Sequence, residues 1–203
     1  MAKKIVSFLM VVFLVNNQGV AASIEIPPYE KYVDEIINEV AYEAKREFGL
    51  YCDGSGGRMP KSVETIFLSF DVCKRGTIQE ARELMVSLKN KLVKKVNSHK
   101  KIQPYLKKSP FSWAEADISI SFSNEDDSFN LDDSVAFVCS AREGMIAYKA
   151  TEIQKRETPG VVDCDGRVMI PRGAPTDIEV FVTILRESEE EALRLAQLKQ
   201  FVK

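Results

Sequence analysis

The stretch TIQEARELMVSLKNKLVKKVN, residues 77–97, decides the fold of this chain. It opens with a capping box, because the Thr77 hydroxyl can accept from the N–H of Glu80 and the Glu80 carboxylate can reach back to the N–H of Thr77. At about 1.5 Å per residue, a helix of this length spans roughly 30 Å, the diameter of a small domain. Its apolar residues follow the 3.6-residue period of a helix with one buried face: Ile78, Ala81, Leu84, Met85, Leu88, Leu92 and Val96.

Two further helices are predicted on either side of this one. Residues 29–48 form an amphipathic pattern, and Gly49 is well placed as its C-terminal cap. Residues 188–191, Ser-Glu-Glu-Glu, form a second capping box, which predicts a short C-terminal helix.

Alternating apolar residues predict five strands, at residues 63–72, 116–123, 135–142, 145–153 and 177–185. In the second of these, Ile118, Ile120 and Phe122 point inward while the intervening residues are polar, which favours an antiparallel sheet. The dipeptide Glu143-Gly144 predicts a tight hairpin turn between the third and fourth strands. Residues 52–60 and 155–175 are rich in turn-forming residues and are predicted to be loops.

The elements together predict one α+β domain over residues 23–203. Its expected architecture is an antiparallel sheet of about five strands, with the two long helices packed on one face and a short C-terminal helix. The composition, 45% hydrophobic and 9% aromatic, is that of a folded chain rather than a disordered one. The formal net charge of −2 does not by itself indicate a partner.

Residues 1–22 are predicted to be a signal peptide. Lys3 and Lys4 precede an apolar run at residues 5–15, and small residues follow, so cleavage is expected after Ala22, with Ala21 as the alternative. An uncleaved anchor is the competing interpretation, but eleven residues are too few to cross about 30 Å of hydrocarbon as a helix. We therefore expect export to the periplasm or beyond the cell, and no transmembrane segment in the mature chain.

The cysteines, Cys52, Cys73, Cys139 and Cys164, are an even set in a chain predicted to be exported, which favours disulfides. Four cysteines allow three pairings. Cys52 and Cys164 both precede an Asp-Gly turn, where the backbone can adjust to disulfide geometry, so these two are predicted to pair. Cys139 alternates with inward residues and is expected to be a buried thiol. The wide spacing does not match a zinc site, so neither a metal nor a cofactor is predicted.

No motif in the sequence indicates catalysis. His99 is the only histidine, so a nucleophile activated by histidine would depend on it, but it follows a helix end, where a cation also caps well. The glycine-rich residues 54–57 follow a helix and precede a strand, which is the wrong order for a phosphate-binding loop, and they are interpreted as a turn. The acidic residues 124–133 lack the spacing of an EF-hand and are interpreted as a solvated hairpin tip.

Charge is strongly segregated along the chain. Residues 84–114 contain no acid and eight lysines, whereas residues 115–133 contain seven acids and no base. Such a lysine cluster can attract an anionic partner, and it can equally be a solvated face that keeps the protein soluble. The residues predicted to bind an anionic partner are Lys94, Lys95, Lys100 and Lys101. There is no specific signal for nucleic-acid binding.

Four short motifs carry a resemblance to a known family. They are Asn97-Ser98 at a helix end, Gln103-Pro-Tyr-Leu106, Pro110-Phe-Ser112, and the Gly-x-Gly-Gly loop at residues 54–57. The chain resembles a family of uncharacterised exported proteins from intracellular bacteria related to chlamydiae, over about residues 49–150. Gln103 stands where that family has Arg, and Ser112 where it has Thr. The resemblance implies export and no particular activity.

The sequence therefore favours an exported, non-enzymatic binding protein, whose partner is an unknown protein or an anionic ligand or surface. The alternative is a hydrolase with an active site assembled from distant residues that include His99.

Overall fold

The computed structural model describes residues 27–126, 128–129, 131, 134–155, 161–162, 168–169 and 177–200. The predicted signal peptide and Cys164 lie outside these residues, as does most of the predicted loop at residues 155–175. The helices are α1 Pro28–Phe48, α2 Ile78–Ser98 and α3 Glu189–Gln200. The strands are β1 Tyr51–Arg58, β2 Thr65–Cys73, β3 Ala116–Ser123, β4 Phe137–Ala141, β5 Met145–Lys155, β6 Val161–Val162, β7 Val168–Met169 and β8 Asp177–Ser188.

The α+β class is confirmed, but the sheet differs from the predicted one. Six strands form the main sheet in the order β1-β2-β3-β4-β5-β8, while β6 and β7 pair with each other. β2 and β3 are parallel, whereas the other neighbours in the main sheet are antiparallel. The purely antiparallel arrangement expected from the sequence is therefore wrong. The reason is that α2 serves as a crossover between β2 and β3, and such a crossover returns the chain to the same end of the sheet.

The sixth strand is β1, which the sequence analysis interpreted as a turn-rich loop. β1 lies at one edge of the sheet and pairs antiparallel with β2, with an irregularity in register between Cys52 and Gly54. Its pattern, Asp-Gly-Ser-Gly-Gly, contains none of the alternating apolar residues that mark a strand. Backbone pairing with β2 decides the conformation here, because an edge strand needs no apolar side chains to complete its hydrogen bonds.

The core lies between the sheet and the helices, as the periodic residues predict. Ile118, Ile120 and Phe122 of β3 are fully buried, and the apolar faces of α1 and α2 contribute to the same cluster. The predicted cap of α1 and the first half of the predicted capping box of α2 are present, while the Glu80 carboxylate contacts the Thr77 hydroxyl and not its N–H. The N–H of Glu80 donates to the Thr77 hydroxyl oxygen at 3.2 Å, and Gly49 ends α1 in a left-handed conformation, at φ 70°. α3 joins the same core through Ala192, which is fully buried.

Candidate functional site

A cleft of about 460 Å³ opens at one end of the main sheet, where β2 and β3 begin and β4 ends. The turn at residues 142–144 and the first residue of α3 complete its wall. Charged side chains from four separate parts of the chain therefore meet in one place. The polar and charged lining residues are Thr65, Lys89, Asp117, Ser140, Arg142, Glu143 and Glu189.

The cleft exists because β3 and β4 stop pairing before they reach its wall. Their backbone pairing covers Ser119, Ile120 and Ser121 of β3. At the next position the N–H of Ile118 donates to the side-chain oxygen of Ser140 at 3.1 Å. A side chain thus replaces a strand carbonyl as acceptor, and the ladder ends at Ser119, two residues from Asp117.

Lys89 lies at the bottom of the cleft with only 1% of its surface exposed. Its Nζ donates to the carbonyl oxygens of Ala116 at 2.8 Å and Trp113 at 3.1 Å, and to Oε1 of Glu189 at 2.5 Å. An ammonium group has three N–H donors, so these acceptors satisfy it completely. Because they lie on different segments, Lys89 joins α2 to the start of β3 and to α3. Its role in this arrangement is structural.

Asp117 is the carboxylate of the cleft whose pKa is perturbed. Although the residue is exposed, desolvation of its carboxyl group raises its pKa, and this outweighs the opposing effects of the Lys89 charge and a hydrogen bond from Ser140. Within the described residues Asp117 forms no ion pair, because the Lys89 donors are all engaged elsewhere. A perturbed carboxyl group in a cleft is a common feature of functional sites.

The turn that borders the cleft has the geometry that its sequence predicts. Three residues, Arg142, Glu143 and Gly144, connect the paired residues Ala141 and Met145, and both Glu143, at φ 62° and ψ 31°, and Gly144, at φ 67°, are left-handed. The predicted hairpin between β4 and β5 is therefore confirmed. The turn carries Arg142 to the cleft, and this residue makes no ion pair among the residues that the structure describes.

A buried hydrogen-bond network supports the cleft from behind. Arg82 of α2 donates to both carboxylate oxygens of Glu187, from Nε to Oε1 at 2.8 Å and from Nη2 to Oε2 at 2.9 Å. The Tyr148 hydroxyl donates to the same carboxylate. Burial, followed by this hydrogen bond, raises the pKa of Tyr148, so its hydroxyl stays protonated. The hydrogen bond with Glu187 likewise raises the pKa of Arg82. The network joins α2, β5 and β8. Its shared carboxylate, Glu187, lies two residues before Glu189 of the cleft.

A ladder of ion pairs joins α1 to α2 on the outer surface of the helices. The N···O distances in the ladder lie between 2.8 and 3.4 Å. Hydrogen bonds from the lysines lower the pKa of Glu43, which belongs to two rungs. The segregated charge of the sequence is thus compensated in space by a different helix. The ion pairs are Lys91 with Glu43 and Glu47 and Lys95 with Glu39 and Glu43, and the polar contact of His99 with Glu35 extends the same row.

The ion-pair ladder divides the four lysines that were predicted to bind an anionic partner. Lys95 belongs to the ladder. Lys101 lies with its Nζ 5.8 Å from the ring centroid of Tyr32. Lys94 and Lys100 are exposed and form no ion pair with another described residue. The binding of an anionic partner stays a prediction, and Lys94, Lys100 and Lys101 are the members of the set that form no ion pair with another described residue.

The surroundings of His99 do not favour the hydrolase alternative. Its Nε2 lies 3.4 Å from a carboxylate oxygen of Glu35, and its ring centroid lies 5.5 Å from that of Tyr32. Its Nδ1 is buried without a hydrogen-bond partner among the described residues. No serine, threonine or cysteine of the described chain is hydrogen-bonded to the ring, so its contacts do not form a nucleophile–base pair.

The cysteine prediction is tested only in part. Cys52, Cys73 and Cys139 are free thiols, and no disulfide forms among the described residues. Since Cys164 lies outside them, its pairing with Cys52 stays a prediction. Cys139 is half-buried rather than buried, and burial raises the pKa of its thiol.

Two of the residues that carry the family resemblance, Asn97 and Gln103, have structural roles around the end of α2. Asn97 donates through Nδ2 to the carbonyl of Phe111 at 2.8 Å and accepts from its N–H at 2.9 Å. Gln103 donates to the carbonyl of Val96 at 2.7 Å, at the C-terminus of the helix. Asn97 and Gln103 therefore stabilise the crossover from α2 to β3, whereas the glycine-rich residues 54–57 lie in β1, and none of these residues lines the cleft.

Sequence reasoning missed Lys89 and Asp117 as site residues. For Lys89 a signal exists, because it lies four residues after Met85 and seven before Val96, on the apolar stripe of α2. A lysine at a core position is rarely buried without partners, so this position alone indicates a buried ion pair. Asp117 carries no comparable signal, since polar residues are expected at alternate positions of β3.

Comparisons of the chain with protein-family models, with curated proteins and with solved structures found no match. The resemblance to exported proteins of chlamydia-related bacteria stays a hypothesis based on motifs. No helix in the described part of the chain is both long and apolar enough to cross a membrane. Within the same residues, no three potential ligand side chains gather in a way that could hold a metal ion.

Proposed function

We propose that this chain is an exported, non-enzymatic binding protein that holds a small polar ligand in the cleft above Lys89. The observation that carries the proposal is the cleft itself, whose volume of about 460 Å³ lies in the range of small-molecule sites. It combines a few convergent polar groups with the perturbed carboxyl group of Asp117, the pattern expected of a binding site.

A binding role suits the charged groups of the cleft better than a catalytic role. The Lys89 ammonium is the buried cation of the cleft, and its three hydrogen bonds leave no donor for a substrate. A rigid arrangement of this kind preorganises a site, which lowers the entropic cost of binding. The part of the proposal that concerns export rests on the signal-peptide pattern, and it predicts a mature N-terminus at Ser23, which N-terminal sequencing of the exported protein tests.

The test of cleft binding is an NMR titration with a panel of amino acids, amines, carboxylates and sugars. We expect a binding compound to shift the backbone amide resonances of residues 116–118 and 140–144, and to leave those of α1 unchanged. Ala141→Trp should fill the cleft and abolish these shifts. Leu131→Trp is the matched control, because Leu131 is exposed and does not line the cleft. Shifts that survive in Ala141→Trp, or that map elsewhere, would refute the proposed site.

A further inference from the structure

We propose that the ligand of the cleft carries a primary ammonium group, which is bound by the carboxylate of Asp117. This inference rests on the binding function proposed above and adds the chemical class of the ligand.

The charges that line the cleft favour a cation. Lys89 and Glu189 form an ion pair with each other, so neither presents a free charge to a ligand. The remaining charged groups are the carboxylates of Asp117 and Glu143 and the guanidinium of Arg142. Negative charge therefore exceeds positive charge in the part of the lining that a ligand can use, and a simple anion would meet net repulsion.

Asp117 is the group best suited to receive the ammonium. A carboxylate offers about four acceptor positions, and the Ser140 hydroxyl, whose interaction lowers the pKa of Asp117, can use at most one of them because it has a single donor. The neighbouring ammonium of Lys89 cannot fill another, because Ala116, Trp113 and Glu189 accept its three donors. Asp117 is thus an exposed carboxylate on the cleft wall with free acceptor positions. A ligand ammonium would provide a counter-charge and hydrogen-bond donors.

Arg142 can distinguish two classes of ligand that carry the same ammonium group, simple amines and amino acids. A simple amine would contact Asp117 alone, whereas an amino acid also carries a carboxylate. Arginine recognises carboxylates well, and Arg142 reaches the cleft without an ion pair to any other described residue. A zwitterionic ligand should therefore depend on both residues.

The experiment titrates the exported form of the protein with four probes: butylamine, L-alanine, acetate and glucose. We expect the two amines to shift the amide resonances of Asp117 and Ser140, and acetate and glucose to leave them unchanged. Asp117→Asn should weaken amine binding by about 10- to 100-fold, the factor typical of losing a hydrogen bond to a charged group. Asp53→Asn, at an exposed aspartate in β1, is the matched control and should bind as the wild type does. Asp117→Glu retains the carboxylate and provides a second, charged variant for the same titration.

The outcomes distinguish a failure of the ammonium inference from a failure of the proposed binding function. If Arg142→Gln weakens L-alanine but not butylamine, the ligand is a zwitterion; if it affects neither, the ligand is a simple amine. Amine binding that is equal in Asp117→Asn and wild type would overturn the inference. So would cleft shifts with acetate or glucose alone, although cleft binding would then stand. If none of the four probes shifts the cleft resonances, both the inference and the proposed function fail.

Discussion

Replacement of Lys89 by methionine removes the buried ammonium while retaining much of the aliphatic side chain. In the native protein this group donates to two backbone carbonyls and to Glu189. The variant leaves the two carbonyls without that donor, and it leaves the Glu189 carboxylate, whose side chain is 17% exposed, without its cation. The perturbation therefore affects α2, the start of β3 and α3 at once.

The expected loss of stability follows from this geometry. Removing one partner of a buried ion pair costs about 3–5 kcal/mol, because the other charge stays buried without compensation. For a domain of this size, each kcal/mol corresponds to about 2–4 °C in melting temperature, so the variant should melt roughly 6–20 °C lower. Adding Glu189→Gln should recover part of the loss, because the uncompensated carboxylate is then removed.

Urea denaturation followed by circular dichroism measures these differences. The matched control is Lys94→Met, which changes an exposed lysine of the same helix and should stay within about 0.5 kcal/mol of wild type. A loss below about 1 kcal/mol for Lys89→Met would refute the reasoning, since exposed ion pairs contribute only that much. So would a double variant in which the two losses simply add.

Three other perturbations follow from the described contacts. Gly76→Ala should lower the free energy of unfolding, measured by urea denaturation, by about 1–3 kcal/mol, because a Cβ there would lie 2.5 Å from the carbonyl oxygen of Val135. An unchanged urea midpoint would contradict this close approach. Glu43→Gln should reduce the loss of stability on acidification below about pH 4.5. A carboxylate whose pKa is lowered by folding stabilises the folded state at pH values above its unfolded-state pKa, and this contribution disappears as the pH falls through its folded-state pKa. Identical profiles of stability against pH for the variant and wild type would exclude the effect. The double variant Lys94→Gln, Lys100→Gln should be retained less strongly on a heparin column at low salt, because these two charges are uncompensated. Retention equal to that of wild type would show that both lysines belong to a solvated surface that does not bind an anion.

The sequence predicts the helices and the core well, because their signals are local and redundant. In α2 the capping box at Thr77 and the 3.6-residue period agree on the same element. In β3 the alternation of Ile118, Ile120 and Phe122 leaves little choice of face. The turn at residues 142–144 is likewise local, since Gly144 adopts the left-handed conformation that glycine favours.

The strand pairing and the site are not local, and this explains the errors. Whether β2 and β3 run parallel depends on the path of α2 over the sheet. The residue pattern within either strand does not predict that path. The one-sided polarity of β3 indicates an open face, but of its polar residues only Asp117 is exposed, while Ser119 and Ser123 are buried. Similarly, Lys89 and Glu189 are 100 residues apart in the sequence. The charges near Lys89 in the sequence therefore suggest a solvated surface and do not reveal its buried partner.

The glycine-rich character of β1 also has a consequence for how the molecule behaves at high concentration. An edge strand presents unpaired N–H and C=O groups that can recruit a strand from another chain, the first step of polymerisation. In β1 the irregularity between Cys52 and Gly54 bends the edge away from a flat template. Its glycines offer an incoming strand no side chains to pack against. The composition that conceals this strand from sequence analysis therefore helps to protect the protein from self-association along that edge.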